Sequence, residues 1–453
     1  MIPGPTYAEM FDPRTLPAAL REKAATARAD ELDAANLFNI TWRDPAGEIR
    51  CEVLPKELTG VEANILVLAG RGFPSGSHKV GPAYVTLLEG ELAGEIRPAE
   101  NTIIGPSTGN FGIGTAYVAR LKGYAAIVIM PEQMSAERYQ RIRQYGGRLD
   151  LTPGSESDVI LVLERTEHYK KDPRNKILAQ FELLPNYRFH RFVTGRSALE
   201  AAAKHGNGRV AAFVAAPGSA GTLAAGDEIK ARFPEAIVCA LEPKECSTLF
   251  DNGRGTHRIE GIGDKMVTLI HNVLTTDYVA LIHDDDCVKG LDLLQCRTPA
   301  VEQILGMAAG ALQRLNGLFG ISGICNIIGA IRMARFLKLG PRENVVTIAT
   351  DGFDRYPSVL ANLAERTGPA TGQRTARWFD EIFRAGAPSG PSEILDVRSA
   401  QQKERLFGYK QEVWRNFQYS QAYLDSMKSP SFWDAEFDRI HGIDSALLRA
   451  RVG

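Results

Sequence analysis

Lys79 follows the turn Phe73-Pro74-Ser75-Gly76-Ser77-His78, directly after an apolar run and at the mouth of a predicted helix. Cations are disfavoured at helix N-termini, because the unpaired amides make that end electropositive. A lysine held there has a depressed amine pKa, and a neutral amine can form an imine with a carbonyl. The plain alternative is a surface lysine. A second cluster, Gly105-Pro106-Ser107-Thr108-Gly109-Asn110-Phe111-Gly112, joins an apolar run to a helical one. Its glycines permit close approach, and its free amides and the hydroxyls of Ser107 and Thr108 suit a carboxylate. A third, Pro217-Gly218-Ser219-Ala220-Gly221-Thr222, offers consecutive amides at a helix start, which suit a phosphate. It lacks the lysine and hydroxyl of a P-loop and the full dinucleotide fingerprint. Each of the last two also reads as an ordinary strand-to-helix turn. Together, an imine lysine, a carboxylate loop and a phosphate loop describe one ligand set.

The elements that must position these clusters alternate. NILVLAGR (64–71), NTIIGP (101–106), AAIVIMP (125–131), DVILVLE (158–164), AAFVAAPG (211–218), AIVCALEP (236–243) and NVVTIATDG (344–352) read as strands. Helices are expected over 112–123, 135–147, 194–206 and 220–233. Strands apolar on both faces, alternating with helices, indicate an α/β fold with parallel sheets covered on both sides. Functional loops of such sheets lie at the carboxyl ends of strands, where all three clusters fall. Residues 1–45 read as an N-terminal arm with a helix over Ala18 to Phe38, dressing a larger body. The stretch 384–393 reads as a turn or linker, and 361–453 as a mostly helical extension. Its Phe407, Tyr409, Trp414, Phe417, Tyr419 and Tyr423 point to a buried or interfacial helix.

At 453 residues the chain exceeds what one small core needs, so two or three domains, or one mixed unit plus an extension, are permitted. Lys+Arg 53 against Asp+Glu 54 gives a formal charge of -1, which supplies no overall field for nucleic acid or an anionic membrane. Six scattered cysteines without a CxxC pair fit a reducing compartment. The polar, charged start lacks the apolar stretch of a signal peptide, and no apolar run is long enough to span a bilayer, so a cytoplasmic protein is expected.

The same residues resemble the fold-type II pyridoxal-phosphate enzymes, in particular cysteine synthase and cystathionine β-synthase, over roughly residues 50 to 356. FPSGSHKVG (73–81) is similar to the family's N-P-x-G-S-x-K-D-R segment, which puts the Schiff-base lysine at Lys79. Ser107, Thr108, Gly109, Asn110 and Gly112 match its S/T-S-G-N-x-G loop, and GYAAIVIMPEQMSAERYQRIRQYGG (123–147) matches a long segment almost position for position. PNYRFHRFVTGRSALE (185–200) aligns Asn186, His190, Thr194 and Gly195, and EGIG (260–263) resembles a later family segment. Val80-Gly81 replace the family's Asp-Arg, Phe73 its Asn, and Ala220 a phosphate-loop glycine.

The resemblance implies two α/β domains, each with a central, mostly parallel sheet covered by helices, tryptophan synthase β-like: 46–185 with the lysine and carboxylate loop, 186–360 with the phosphate loop. It implies pyridoxal 5'-phosphate on Lys79, with Gly218, Ser219, Ala220, Gly221 and Thr222 holding phosphate and Asn110 meeting the ring hydroxyl. Thr350 or Asp351 would face the pyridine nitrogen, and Ser107, Thr108, Gly109 and Asn110 would take the substrate carboxylate. The implied reaction is β-replacement or β-elimination on a serine- or cysteine-type amino acid through an aminoacrylate, with a small nucleophilic second substrate in the first case, in a homodimer. An ammonia-lyase acting on serine, threonine or diaminopropionate, and a noncatalytic cofactor-binding subunit, are the alternatives. No metal is expected: His283-Asp284-Asp285-Asp286 reads as acidic N-capping rather than a metal site. His78 reads as a packing residue more than a chemical one, and Cys325 as a buried thiol without a basic partner.

Overall fold

Strand-forming runs fall into two sheets in the computed structural model, which describes residues 2–368, 371–384 and 393–452. The strands in chain order are β1 (Cys51–Val53), β2 (Asn64–Ala69), β3 (Thr102–Pro106), β4 (Ala125–Pro131), β5 (Arg148–Thr152), β6 (Asn175–Ile177), β7 (Val210–Ala215), β8 (Ile237–Pro243), β9 (Tyr278–Ile282), β10 (Asn344–Ala349) and β11 (Ile394–Asp396). The larger sheet runs β1-β2-β10-β7-β8-β9-β11 and the smaller β5-β4-β3-β6. The smaller is parallel throughout, whereas the larger is parallel inside with antiparallel edges at β1 and β11. Both sheets carry helices, as the doubly apolar strands require. No helix among the described residues is long and apolar enough to cross a membrane.

Three sequence expectations change. The run 158–164 is not a strand but the start of the helix Val159–Lys170. Its buried residues Val159, Val162, Leu163 and Thr166 fall at helical spacing, and Leu161 points to solvent. Periodicity within seven apolar residues does not separate the two forms, and the continuation through Lys170 decides for helix. The arm's helix stops at Ala27 rather than Phe38, because Asn36 Nδ2 takes the Ala27 carbonyl at 2.9 Å and Asn39 Nδ2 that of Ala24 at 2.8 Å. A short 3₁₀ segment, Ala34–Asn39, follows. Finally, β1 and β2, grouped by sequence with 46–185, lie in the larger sheet. β2 pairs with β10 in parallel from Asn64↔Asn344 to Ala69↔Ala349, a long-range partner that sequence order does not reveal.

That pairing places the site. Leaving β2, the chain turns through Lys79 into the buried helix Val80–Leu92, which packs against the helix Asn110–Lys122 over the smaller sheet. The turn is tied to the carboxyl end of β10 by a Ser77–Asp351 bridge and by His78 N–H donating to Thr350 O at 3.2 Å. Lys79 therefore stands at the seam between the sheets.

The C-terminal extension is helical and also adds β11 to the larger sheet, while most of the stretch 384–393, at 385–392, lies outside the described residues. Its helix Ala400–Trp414 lies behind the segment 267–271: Trp414 Nε1 donates to Val267 O at 2.8 Å, and the buried Lys410 to Leu269 O at 3.0 Å and His271 O at 2.6 Å. The helix Pro430–Val452 reaches Arg188 through Glu436 and the arm through Asp444, which accepts from Tyr7 N at 2.8 Å. Phe407 and Trp414 are core residues. Trp414→Ala should lower stability by about 3–5 kcal/mol through the cavity it leaves, read as a lower denaturation midpoint; an unchanged midpoint would show that the extension is only loosely seated.

Candidate functional site

Ser75 and Gly76 both take left-handed backbone conformations (φ 62° and 75°), and the reversal they make delivers Lys79 inward. Arg355 closes over this turn by donating to Ser75 O. The replaced family residues are explained by packing. Phe73 stands edge-on to Trp42, ring centres 4.9 Å apart, and a side chain on Gly81 would meet the Phe189 ring at 2.2 Å. Lys79 is buried, and its Nζ lies 3.3 Å from Ser219 Oγ. Burial lowers the amine to about 8 against the opposing pull of Asp264 and Glu156.

The phosphate-type loop follows β7. Asn186 Nδ2 donates to Ser219 Oγ at 2.9 Å, and Thr268 Oγ1 to Ser219 O at 2.9 Å, so two other segments fix it. Ala220 adopts the left-handed conformation that the absent glycine would favour (φ 65°). The amides of Gly221 and Thr222 then lead into the helix Ala224–Arg232.

The second loop follows β3. Ser107 Oγ accepts from Gly109 N at 2.9 Å and Gly112 N at 2.8 Å, so this oxygen shapes the loop and leaves the hydroxyl hydrogen available. Gly109 is required because a Cβ there would lie 2.0 Å from Arg138 Nη1. Asn110 Nδ2 donates to Asp351 Oδ2 at 2.6 Å, and its Oδ1 has no partner. Tyr356 Oη also donates to Asp351 Oδ2 at 2.8 Å. Thr350 contributes its backbone to the lysine turn, while the Asp351 side chain enters the buried network.

Sequence reasoning missed the centre of that network. Arg138 is fully buried, donates to Thr108 O at 3.2 Å and Tyr356 Oη at 2.9 Å, and pairs with Glu260 at 2.8 Å. Glu156 and Asp351 each stand 4.0 Å from it. Burial raises the carboxyl pKa values of Glu156, Glu260, Asp351 and Asp264, with Arg138 opposing the first two, Arg355 and Arg138 the third, and Lys79 the last. Asp264 is pushed up to about 7. Arg138 and Glu260 lie within segments that carried the family resemblance, so the signal was present but unread; Glu156 and Asp264 have no motif signal.

His78 and His190 are fully buried with rings 4.9 Å apart, and burial keeps both pKa values well below the usual range. His190 Nδ1 contacts Thr194 Oγ1 at 2.9 Å, and that hydroxyl also receives Trp42 Nε1 at 2.9 Å, so the pair backs the lysine turn. Cys325 is buried, while its neighbour Asn326 joins Ala216 N to Ile348 O. His283 precedes the helix Asp284–Cys296 without a side-chain cap, and Asp284 is occupied by Arg258 at 2.6 Å. N-capping therefore does not explain His283; the acidic first turn instead serves an ion pair. Glu245, His283 and Asp284 offer ligand atoms within 4.8 Å of one another, with His283 exposed.

A cleft of about 730 Å³ leads from the surface, between His257, Arg258, Asn362 and Arg366, to Glu156 and Glu260. The three loops thus meet at a buried amine, and the acidic residues Glu156 and Glu260 near it line a surface cleft.

A family model described as pyridoxal-phosphate dependent enzyme matches residues 55–351. A cysteine synthase of Staphylococcus aureus is 31% identical over 286 residues, covering 63% of this chain and 84% of that protein. A probable cysteine synthase of Bacillus subtilis is 32% identical over 287 residues, covering 63% and 85%. Among solved structures, a hydrogen sulfide-producing enzyme from Fusobacterium nucleatum superposes with TM-score 0.57 at 25% identity, over 65% of this chain and 92% of that one. O-ureido-L-serine synthase gives 0.58 at 25% identity, over 71% and 93%.

Removing the guanidinium strands buried carboxyls on both sides of the seam. Arg138→Gln should cost about 3–5 kcal/mol, the range for breaking a buried ion pair from one side. Denaturant titration measures it, and a loss below about 1 kcal/mol, typical of an exposed pair, would contradict the network described.

Proposed function

Since the chain belongs to the pyridoxal-phosphate dependent enzymes, we propose that it catalyses β-replacement on a serine-type amino acid, with Lys79 as the residue that binds the cofactor covalently. The carrying observation is the Lys79 amine, buried, lowered to about 8 and 3.3 Å from Ser219 at the mouth of an amide-rich loop. The residues fit the cofactor. An anion at 218–222 would be received by backbone amides and the Ser219 and Thr222 hydroxyls, and Asn110 Oδ1, buried and unpartnered, awaits a donor such as a ring hydroxyl. When bound, the cofactor supplies the electron sink that stabilises charge at the substrate Cα.

The chain's own residues do the rest. Ser107, Thr108, Gly109 and Asn110 hold the substrate carboxylate, through the amides at the start of the helix Asn110–Lys122 and the remaining hydroxyl hydrogens. This fixes which bond at Cα is aligned for cleavage. Lys79 Nζ takes the proton from Cα; an amine titrating near 8 is suited to accept it at neutral pH. Thr350 or Asp351 meets the ring nitrogen; Asp351 has Oδ1 unpartnered, and Asn110 and Tyr356 hold its other oxygen. His78 and His190, kept neutral, exclude water behind the lysine.

The names cysteine synthase and O-ureido-L-serine synthase both describe products with a heteroatom on the β carbon, which supports a leaving group at that carbon. The cleft lined by Glu156 and Glu260 offers room for a second reactant, which supports replacement over simple elimination.

Protein purified without added cofactor should show the absorption band of lysine-bound pyridoxal phosphate, and Lys79→Ala should lack it; a band unchanged in the variant would remove Lys79 from this role. In a screen of O-substituted serines, adding a nucleophile should yield a new amino acid. Ammonia and keto acid released at the same rate with or without it would assign the lyase reaction instead. The rate of cofactor uptake by the stripped protein should rise about tenfold per pH unit below pH 8 and level off above it, because only the neutral amine attacks. A flat profile between pH 6 and 8 (about two units) would refute the lowered amine pKa.

A further inference from the structure

Around Lys79 the charges do not balance. Among the described residues, Glu156, Glu260, Asp264 and Asp351 stand against three bases, Lys79, Arg138 and Arg355, four acids to three. The neighbouring Lys265 is engaged by Asp158 at 2.6 Å, Arg258 is engaged by Asp284 and Asp285, and His257 is held neutral by burial. Within the network the acids are unequally served. Glu260 has Ser135 and Arg138, and Asp351 has Asn110 and Tyr356. Glu156 and Asp264 are 2% and 5% exposed, yet only the Thr108 hydroxyl stands near enough to relieve Glu156, and neither Asp264 oxygen has a hydrogen-bond partner.

Orphaned carboxyls are costly to bury, and a native protein keeps them where a donor arrives. The cofactor does not provide that donor, since its phosphate and ring hydroxyl belong to 218–222 and Asn110. Nor does the first substrate: its carboxylate goes to 107–112, and its α-amine is the group that replaces Lys79. Glu156 lines the inner end of the cleft of about 730 Å³, and Asp264 interacts with both Glu156 and Lys79. That volume far exceeds what a sulfide ion needs and lies in the range of pockets for small organic ligands.

We propose that Glu156 and Asp264 form an acidic subsite that selects a co-substrate carrying an ammonium group, admitted through the cleft between 256–260 and 359–366. The inference rests on the β-replacement reading and names the class of its second reactant: a small organic amine or amino acid rather than sulfide alone. The raised carboxyl pKa values of both residues fit a site whose cation is absent until the ligand binds.

Two isosteres test it. N,N-dimethylethanolamine is a cation at neutral pH and, as a tertiary amine, forms no imine; isoamyl alcohol has the same heavy-atom skeleton without the charge. Calorimetry on the cofactor-loaded protein should find the amine bound at least about 10-fold more tightly, as expected for a charge-assisted hydrogen bond in a buried site. E156Q and D264N should each reduce that preference. Equal affinity of the unaltered protein for the two ligands, or a preference that survives both substitutions, overturns the proposal. The wild-type comparison stands even if a variant misfolds. Nucleophile-dependent formation of a new amino acid from O-substituted serines by the same preparation is read separately: its absence with every donor defeats the β-replacement reading, whereas its presence with equal binding of the two ligands defeats only the subsite.

Discussion

Arg138 is the charge on which the site's geometry depends. Its helix, Ala136–Gln144, belongs to the smaller sheet, yet its guanidinium ends among groups from the larger one: Glu260, Asp351 and Tyr356. Along the way it holds the carbonyl of Thr108 and fills the space that a side chain at Gly109 would need. A guanidinium stays charged when buried and offers five donors in a plane, so one residue can hold a loop, two carboxyls and a phenol at once. Lysine has neither the reach nor the fork for this.

The second constraint is the parallel pairing of β2 with β10. Strands side by side and pointing the same way bring their carboxyl ends together, so the lysine turn after β2 lies against Thr350 and Asp351 after β10. β7, the next strand over, delivers the 218–222 loop to the same edge, and β3 brings the 107–112 loop from the other sheet. The candidate site is thus assembled from four strand ends distant in sequence, which accords with the general location of sites in open α/β sheets. The C-terminal extension is attached to the reverse side of this arrangement. By gripping the carbonyls of 267–271 through Lys410 and Trp414, it steadies the segment that carries Asp264 and supports Ser219 through Thr268.

Much of this was readable along the chain. The strand-end positions of Lys79 and of the loops at 107–112 and 218–222 were legible because each has a local pattern, an apolar strand followed by small residues at a helix start, and local patterns survive in one dimension. The strands 125–131 and 237–243 were nearly complete for the same reason. The helix at 159–170 was misread because seven apolar residues satisfy either period, and the short β5 and β6 were missed because their half-buried residues show no apolar run.

By itself the sequence determined the parallel α/β class and the strand-end positions of the three loops and of Lys79, since these depend on hydrophobic pattern and turn chemistry within a few residues. Only the tertiary structure decided that β2 joins the larger sheet, that Arg138 ties the two sheets together, and that Glu156 and Asp264 lie buried near the lysine. Those facts depend on contacts between residues far apart in the chain. A buried charge is defined by what surrounds it, and no local spacing records its surroundings.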